Sequence, residues 1–254
     1  ADPGTPFMDS YGNKESIFSL ENSGTNNPGV NAALASQYKR RLLVCISPII
    51  WRDPAWLSDD KRRLTTTEAT LATNQLVYVS NGRMYTNKYK DVTNYTDASP
   101  LIRYAEVVLN MAEAYTRLDP TGTPDANALA LLNQVRNRSL ADPSTQAYTA
   151  GNFATNVELL GAILKERRIE FVGEGRRWPD IHRLQFCPYY PIDGIPQKVA
   201  NGNPAASAFT LGTPYTGPYG VTPIPYSDYR FLWPIPRVET DANPTLAAQQ
   251  NPGW

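Results

Sequence analysis

Between Lys165 and Arg183 the chain concentrates groups that can hold or move a proton. Glu166, Glu170, Glu174 and Asp180 alternate there with Arg167, Arg168, Arg176, Arg177 and Arg183. Glu170 and Glu174 stand one helical turn apart, and two carboxylates on one face could serve as the acid and base of glycoside hydrolysis. That chemistry needs a carboxyl kept protonated by an apolar setting. Here every carboxylate has an arginine within helical reach, which holds it ionised. The pattern therefore reads as a structural network of Arg–carboxylate pairs locking helices together, with no catalytic residue in it. His182 is the sole histidine. Any mechanism with two imidazoles is excluded, and one histidine on a short charged helix reads as structural. Cys45 and Cys187 lie far apart and have no Cys or His neighbours at metal-ligand spacing, so no metal site and no cofactor is expected. The pair reads as two buried free thiols, with one long-range disulfide as the alternative.

A second segment suits binding. Sugars present hydroxyls and an apolar face of C–H groups, so a site for them wants an exposed flat ring flanked by orienting polar groups. Ile50-Trp51-Arg52-Asp53-Pro54-Ala55-Trp56 has that composition, which makes Trp51, Arg52, Asp53 and Trp56 the candidate ligand residues. Five extended residues reach at most about 17 Å, so the rings could meet one sugar or two. Against this stands the tendency of indoles to bury. Tyr11 and the Tyr-rich stretch 215–229 are secondary candidates.

The elements that must carry these groups are mostly helical. Pro100 suits a first helical position, and Leu101, Tyr104, Ala105, Val108, Met111, Ala112, Tyr115 and Leu118 follow helical spacing to about residue 118. Arg103, Glu106, Asn110, Glu113 and Arg117 fall on the opposite face. After a break at 119–122, Thr123 is placed to cap a second helix with Pro124 at its first position, giving an antiparallel hairpin. Thr155 and Glu158 form a capping box for a third helix that runs to about Val172 and stops at Gly173 and Gly175. Leu160, Ile163, Leu164 and Phe171 define its apolar face. Arg167 falls inside that stripe, so it is expected to be buried and paired with at least two carboxylates, while Arg176 is expected to be exposed. Arg176 to Leu184 restarts as a short helix. Earlier in the chain, Glu15–Leu20, Gln75–Val79 and Arg83–Asn87 read as short strands, the last two joined by a Ser80-Asn81-Gly82 turn. Ala32 to Leu43 reads as a helix.

With 254 residues the chain can hold one large domain. The reading is a single domain over 1–254: a loop-rich start at 1–99, a helical core at 100–184, then a long loop and docked tail at 185–254. Trp233 and Ile235 are expected to bury against the helices. Formal charge sums to zero, which provides no field to attract nucleic acid or anionic lipid. No apolar run approaches the roughly 20 residues that span a membrane. The N-terminus shows neither an initiating Met nor a signal peptide, which reads as a mature or truncated start.

Several of these motifs resemble a known family. Arg103-Tyr104-Ala105-Glu106 with Ala112-Glu113-Ala114 is similar to the helix signature of the SusD-like (RagB-like) proteins. So is Glu166-Arg167 with Glu170, Glu174-Gly175, Arg177, Asp180 and Arg183. The ending is more specific still: Leu232-Trp233-Pro234-Ile235-Pro236, Glu239, Asn243-Pro244 and Gln250-Asn251-Pro252-Gly253-Trp254. The three blocks stand in the family's order and cover residues 100–254. Pro179 departs from the pattern, standing where the family more often has an aromatic residue.

The resemblance implies a non-catalytic lipoprotein on the outer face of the outer membrane in Bacteroidota. Such a protein captures glycans, or sometimes peptides, for import through a SusC-like TonB-dependent transporter. It also implies a mainly α fold with extensive ordered loops and a few short strands, corresponding to the C-terminal region of the SusD-like fold. The tetratricopeptide-type half and the lipidated cysteine are absent from this sequence. The network would comprise Arg103, Glu106, Glu113, Arg167, Glu170, Glu174, Arg177, Asp180 and Arg183. Three functions are weighed: glycan capture, a peptide-binding or pure protein-interaction subunit, and a glycoside hydrolase.

Overall fold

The structure, a computed structural model, describes residues 2–7, 12–66, 75–200 and 204–254. It is mainly helical, with long loops and short strands. Two compact units appear: residues 1–177 with 199–218, and residues 178–198 with 219–254.

In the larger unit three helices form the centre: α1 (Tyr104–Leu118), α2 (Ala126–Arg136) and α3 (Asn156–Glu170). Their first core joins Val108, Leu109 and Ala112 of α1, Leu132 and Val135 of α2, and Leu159 and Ile163 of α3, closed by Phe171. The buried face of α1 is rotated from the expected one. Leu109 and Thr116 are buried, whereas Tyr104, Met111 and Leu118 are exposed. The helix also begins later than expected. Ser99–Arg103 is a strand, β5, and Pro100 lies in it rather than at a helix start. It pairs antiparallel with β1 (Ser16–Leu20), Ser16 opposite Arg103 and Leu20 opposite Ser99. That partner is remote in sequence, so nothing near Pro100 announces it.

Helix caps follow side-chain chemistry. Asp125, not Thr123, caps α2, accepting from the Ala128 N–H at 2.8 Å. Thr155 caps α3, accepting from the Glu158 N–H. Asn156 then ties the α1–α2 turn to α3: its Nδ2 donates to the Asp119 carbonyl at 2.8 Å, and its Oδ1 accepts from the Asp125 N–H at 2.7 Å. The expected helix at Ala32–Leu43 is broken. Gly29–Ala32 is one short turn, and Ser36–Arg40 is a wider π-type turn closed from the Arg41 N–H to the Ser36 carbonyl.

A three-stranded sheet holds β2 (Thr65–Thr66), β3 (Val77–Ser80) and β4 (Arg83–Thr86) in that order. The β3–β4 hairpin turns on Asn81 and Gly82, both with positive φ (50° and 72°), as a tight primed turn demands. A second core gathers Ile46, Ile50, Trp51, Trp56, Val77 and Phe209 around Ile169 of α3. Helix α3 therefore buries side chains on two sides, and charged residues must occupy part of its buried surface.

The smaller unit combines loops with short helices, Arg237–Ala242 and Pro244–Ala247 among them. Strands β6 (Gly194–Ile195) and β7 (Ile224–Pro225) pair antiparallel. Phe231 stacks on Trp178, with ring centroids 6.1 Å apart, and His182 and Tyr226 meet its other sides. His182 is thus part of an aromatic cluster. The tail closes on itself: Trp254 Nε1 donates to the Leu232 carbonyl at 2.8 Å, and Asn251 Nδ2 to the Trp233 carbonyl at 2.6 Å. Trp233 is 78 % exposed and Ile235 half-buried. This corrects the expected burial of Trp233: it is the backbone carbonyl of Trp233 that is held, and the ring points outward. Both cysteines are free thiols. Among the described residues no helix is long and apolar enough to cross a membrane.

Candidate functional site

The buried charges of the larger unit centre on three carboxylates, Glu166 and Glu170 in the last turns of α3 and Glu174 just beyond it. Gly173 and Gly175 both take positive φ (80° and 76°), which folds the chain back on either side of Glu174. Glu166 accepts from Arg62 at 2.5 Å and from Arg136 at 3.0 Å. Glu170 accepts from Arg62 at 2.9 Å, Arg103 at 2.7 Å and Arg138 at 2.5 Å. Glu174 accepts from Lys88 at 2.5 Å and Arg103 at 2.7 Å. At the edges Asp60 holds Arg62 at 2.7 Å, and Glu15 joins Arg103 at 2.5 Å with Arg138 at 2.6 Å. Among the described residues five cations thus meet five carboxylates, and their charges balance.

Burial alone would raise the Glu170 carboxyl, but Arg138, Arg103, Arg62 and Lys88 together hold it well below the usual carboxylate range. Glu174 is lowered in the same way: burial opposes, and Arg103 and Lys88 prevail. Neither group is set up to donate a proton near neutral pH, which is the opposite of what a general acid requires. The arrangement fixes backbone segments. It joins α3 to the start of α1, to the loop before β2 and to the segment before β1.

The sequence-marked residues divide between this cluster and other places. Arg103, Glu170 and Glu174 meet within it. Arg167 is buried to 5 % exposure, pairs with Glu106 at 2.9 Å and donates to Asn110 at 2.8 Å. Arg176, expected to be exposed, is half-buried and reaches the other oxygen of Glu106 at 3.1 Å. Glu113 pairs with Arg117 one turn along α1 at 2.7 Å. Asp180 pairs with Arg183 at 2.7 Å within the short helix Arg177–Arg183, whose first residue is Arg177. Sequence reasoning missed Arg62, Arg136, Arg138, Lys88, Asp60 and Glu15. Their one local signal is position: Arg136 ends α2 with Arg138 just beyond it, and Arg62-Arg63 stand beside a tryptophan loop.

That loop is the other candidate. Ser47 caps the short helix Pro48–Trp51, and Asp53 accepts from the Ala55 N–H at 3.0 Å to turn the chain. Trp51 and Trp56 are both 3 % exposed, their rings edge to face at 5.4 Å. Neither indole offers a face to solvent, which corrects the expectation of a stacking platform. Core packing claims them, and Trp51 Nε1 donates to the Phe209 carbonyl at 2.9 Å. Arg52 and Asp53 stay at the surface side, half-buried. Arg52 donates to the Thr213 carbonyl at 2.7 Å and to its hydroxyl at 2.6 Å. Together 52–54, 56–58, Arg63 and 211–214 line an open cleft of about 240 Å³, in which the Trp56 edge is the aromatic contribution. Of the secondary candidates, Tyr215 is buried and donates to the Pro218 carbonyl at 2.6 Å, and Tyr229 packs on Trp254. Tyr11 lies outside the described residues. Among these residues no cluster of His, Cys, Asp or Glu could hold a metal ion.

Comparison with known proteins agrees with the fold. The chain belongs to the SusD family, whose model matches residues 58–254. It is 30 % identical over 171 residues to SusD-like protein P2 of Formosa agariphila, covering 66 % of this chain and 27 % of that protein. A SusD superfamily protein from Bacteroides fragilis shares the fold with TM-score 0.68 and 28 % identity, over 96 % of this chain and 48 % of that one. A protein from Bacteroides vulgatus described as a putative sugar binding protein gives TM-score 0.61 at 24 % identity, over 99 % and 50 %. The chain thus spans about half the length of these solved structures and about a quarter of the F. agariphila protein.

Proposed function

We propose that this chain is a glycan-capture module without catalytic activity. It would act on the outer face of the outer membrane with a SusC-like TonB-dependent transporter, as part of a longer lipid-anchored protein that it represents in its C-terminal region. The observation that carries the reading is membership of the SusD family, and the sugar-binding description of a structure with the same fold points the same way. The charged cluster supports the absence of catalysis, since its carboxylates are committed to cations. The cleft beside Arg52 and Asp53 is the place for a ligand, with hydrogen-bonding groups around an aromatic edge.

A glycan microarray probed with the complete polypeptide tests this, alongside a reducing-end assay on every glycan bound. The expected result is binding to a restricted group of oligosaccharides without release of reducing sugar. Binding to no glycan would remove the capture reading, and release of reducing sugar from a bound glycan would remove the non-catalytic one.

A further inference from the structure

The cleft beside Trp56 is charged unevenly. Arg62, Arg103, Arg136 and Arg167, all buried, and the half-buried Arg138 each have a carboxylate within 3.0 Å. Arg63, 5 % exposed, has none at ion-pair distance among the described residues. Its guanidinium lies 4.5 Å from the ring centres of both Trp51 and Trp56, and Nη2 donates to the Trp56 carbonyl at 2.6 Å. Its Nε and Nη1, and the indole Nε1 of Trp56, have no hydrogen-bond partner among the described residues. Buried donors of this kind are costly unless something accepts from them.

The surroundings are cationic too. Arg52 lines the cleft, donates to Thr213 and lies 5.8 Å from the Tyr215 ring centre, with no carboxylate at ion-pair distance among the described residues. Among the described residues Asp53 is the single carboxylate of the lining, and Lys165 already reaches it at 3.3 Å. Burial pushes Arg63 down to about 10, with Arg62 acting in the same sense and Asp60 and Asp53 opposing. Positive charge around the cleft is under-compensated, whereas the neighbouring cluster is balanced.

We propose that this cleft selects for an oxyanion on a sugar ring, a uronate carboxylate or a sulfate ester. Arg52 makes the direct contact. Arg63 supplies the field from the cleft floor and, after a small rotation, its free N–H groups. The inference rests on the glycan-capture reading and narrows it to acidic glycans. Charge-assisted hydrogen bonds from guanidinium to such groups are the strong ones, and they add direction to affinity.

The test is ¹⁵N NMR of the Trp56 indole N–H and the arginine Nε–H groups in the whole chain. Sodium glucuronate, glucose 6-sulfate and methyl glucoside are titrated at matched ionic strength. Glucuronate or the sulfate ester should shift both resonances saturably, methyl glucoside should not, and the two acids identify which oxyanion fits. Arg52→Gln should weaken the acid by about tenfold, equivalent to one charge-assisted bond, with the Trp56 resonance of the free protein unmoved. Equal response to methyl glucoside would overturn charge selection and leave glycan capture standing. No response to any probe would overturn the assignment outright. A response to the acids, joined to an empty glycan array, would uphold the anion cleft and remove glycan capture.

Discussion

Arg103 grips Glu174 with two parallel bonds, Nε to Oε2 at 2.7 Å and Nη2 to Oε1 at 3.0 Å. The same guanidinium reaches Glu15 and Glu170. One side chain, at the junction of β5 and α1, therefore joins three parts of the chain that are remote in sequence. The planar fork of arginine permits this, and lysine could not reproduce it.

Removing one carboxylate from this cluster should be costly. Glu170→Gln leaves Arg62, Arg103 and Arg138 short of an acceptor, and breaking a buried ion pair on one side costs about 3–5 kcal/mol. Urea denaturation of the variant should show that loss. An unshifted midpoint would mean that water replaces the carboxylate.

Acid should act through the same groups. Glu170 and Glu174 have folded-state values below their ordinary 4.5. A depressed carboxyl binds fewer protons in the native state than in the unfolded one between the two values. Its contribution is therefore complete above the unfolded value and lost as pH falls through the folded one. Denaturant midpoints should be flat from neutrality down to about 5 and should fall steeply below the ordinary carboxylate value. In Glu170→Gln the fall should be shallower.

Trp51→Ala should report on packing. The indole is buried in the second core and hydrogen-bonded to Phe209. Its truncation should cost about 3–5 kcal/mol, visible as a lower Tm. A variant that keeps its Tm would show that the ring is free to serve a ligand after all.

Much of this was readable in advance, for local reasons. The α1–α2 hairpin, α3 and the Asn81-Gly82 turn rest on periodicity, caps and glycine, all written within a few residues. What escaped depends on distant partners. Ser99–Arg103 reads as the start of a helix because its strand partner, Ser16–Leu20, is remote. The marked half of the charged cluster lies in one sequence block, whereas Arg62, Arg138 and Glu15 arrive from elsewhere. In the tryptophan loop composition suggested a platform, but only the fold could show that Phe209 and Arg63 occupy both indoles.

Gly194→Ala offers a test confined to the smaller unit. Gly194 has φ +141°, and a Cβ there would lie 2.1 Å from the Ile224 carbonyl oxygen. Backbone strain of about 1–3 kcal/mol, with that clash added, should open the β6–β7 pair. Amide exchange at Ile195 and Tyr226 should quicken while the α1–α3 amides keep their protection. Uniform loss of protection would show that the effect spreads beyond the pair.

The Arg63 sandwich also has an optical side. Two indoles edge to face at close range, with a cation against both rings, form a coupled pair of chromophores. Their transitions mix, and the adjacent charge shifts the energy of each transition by acting on the change in dipole that excitation brings. The protein thereby carries its own spectroscopic gauge at the wall of the cleft, where a displacement of Arg63 would register as a change in the circular dichroism and emission of tryptophans that no ligand needs to touch.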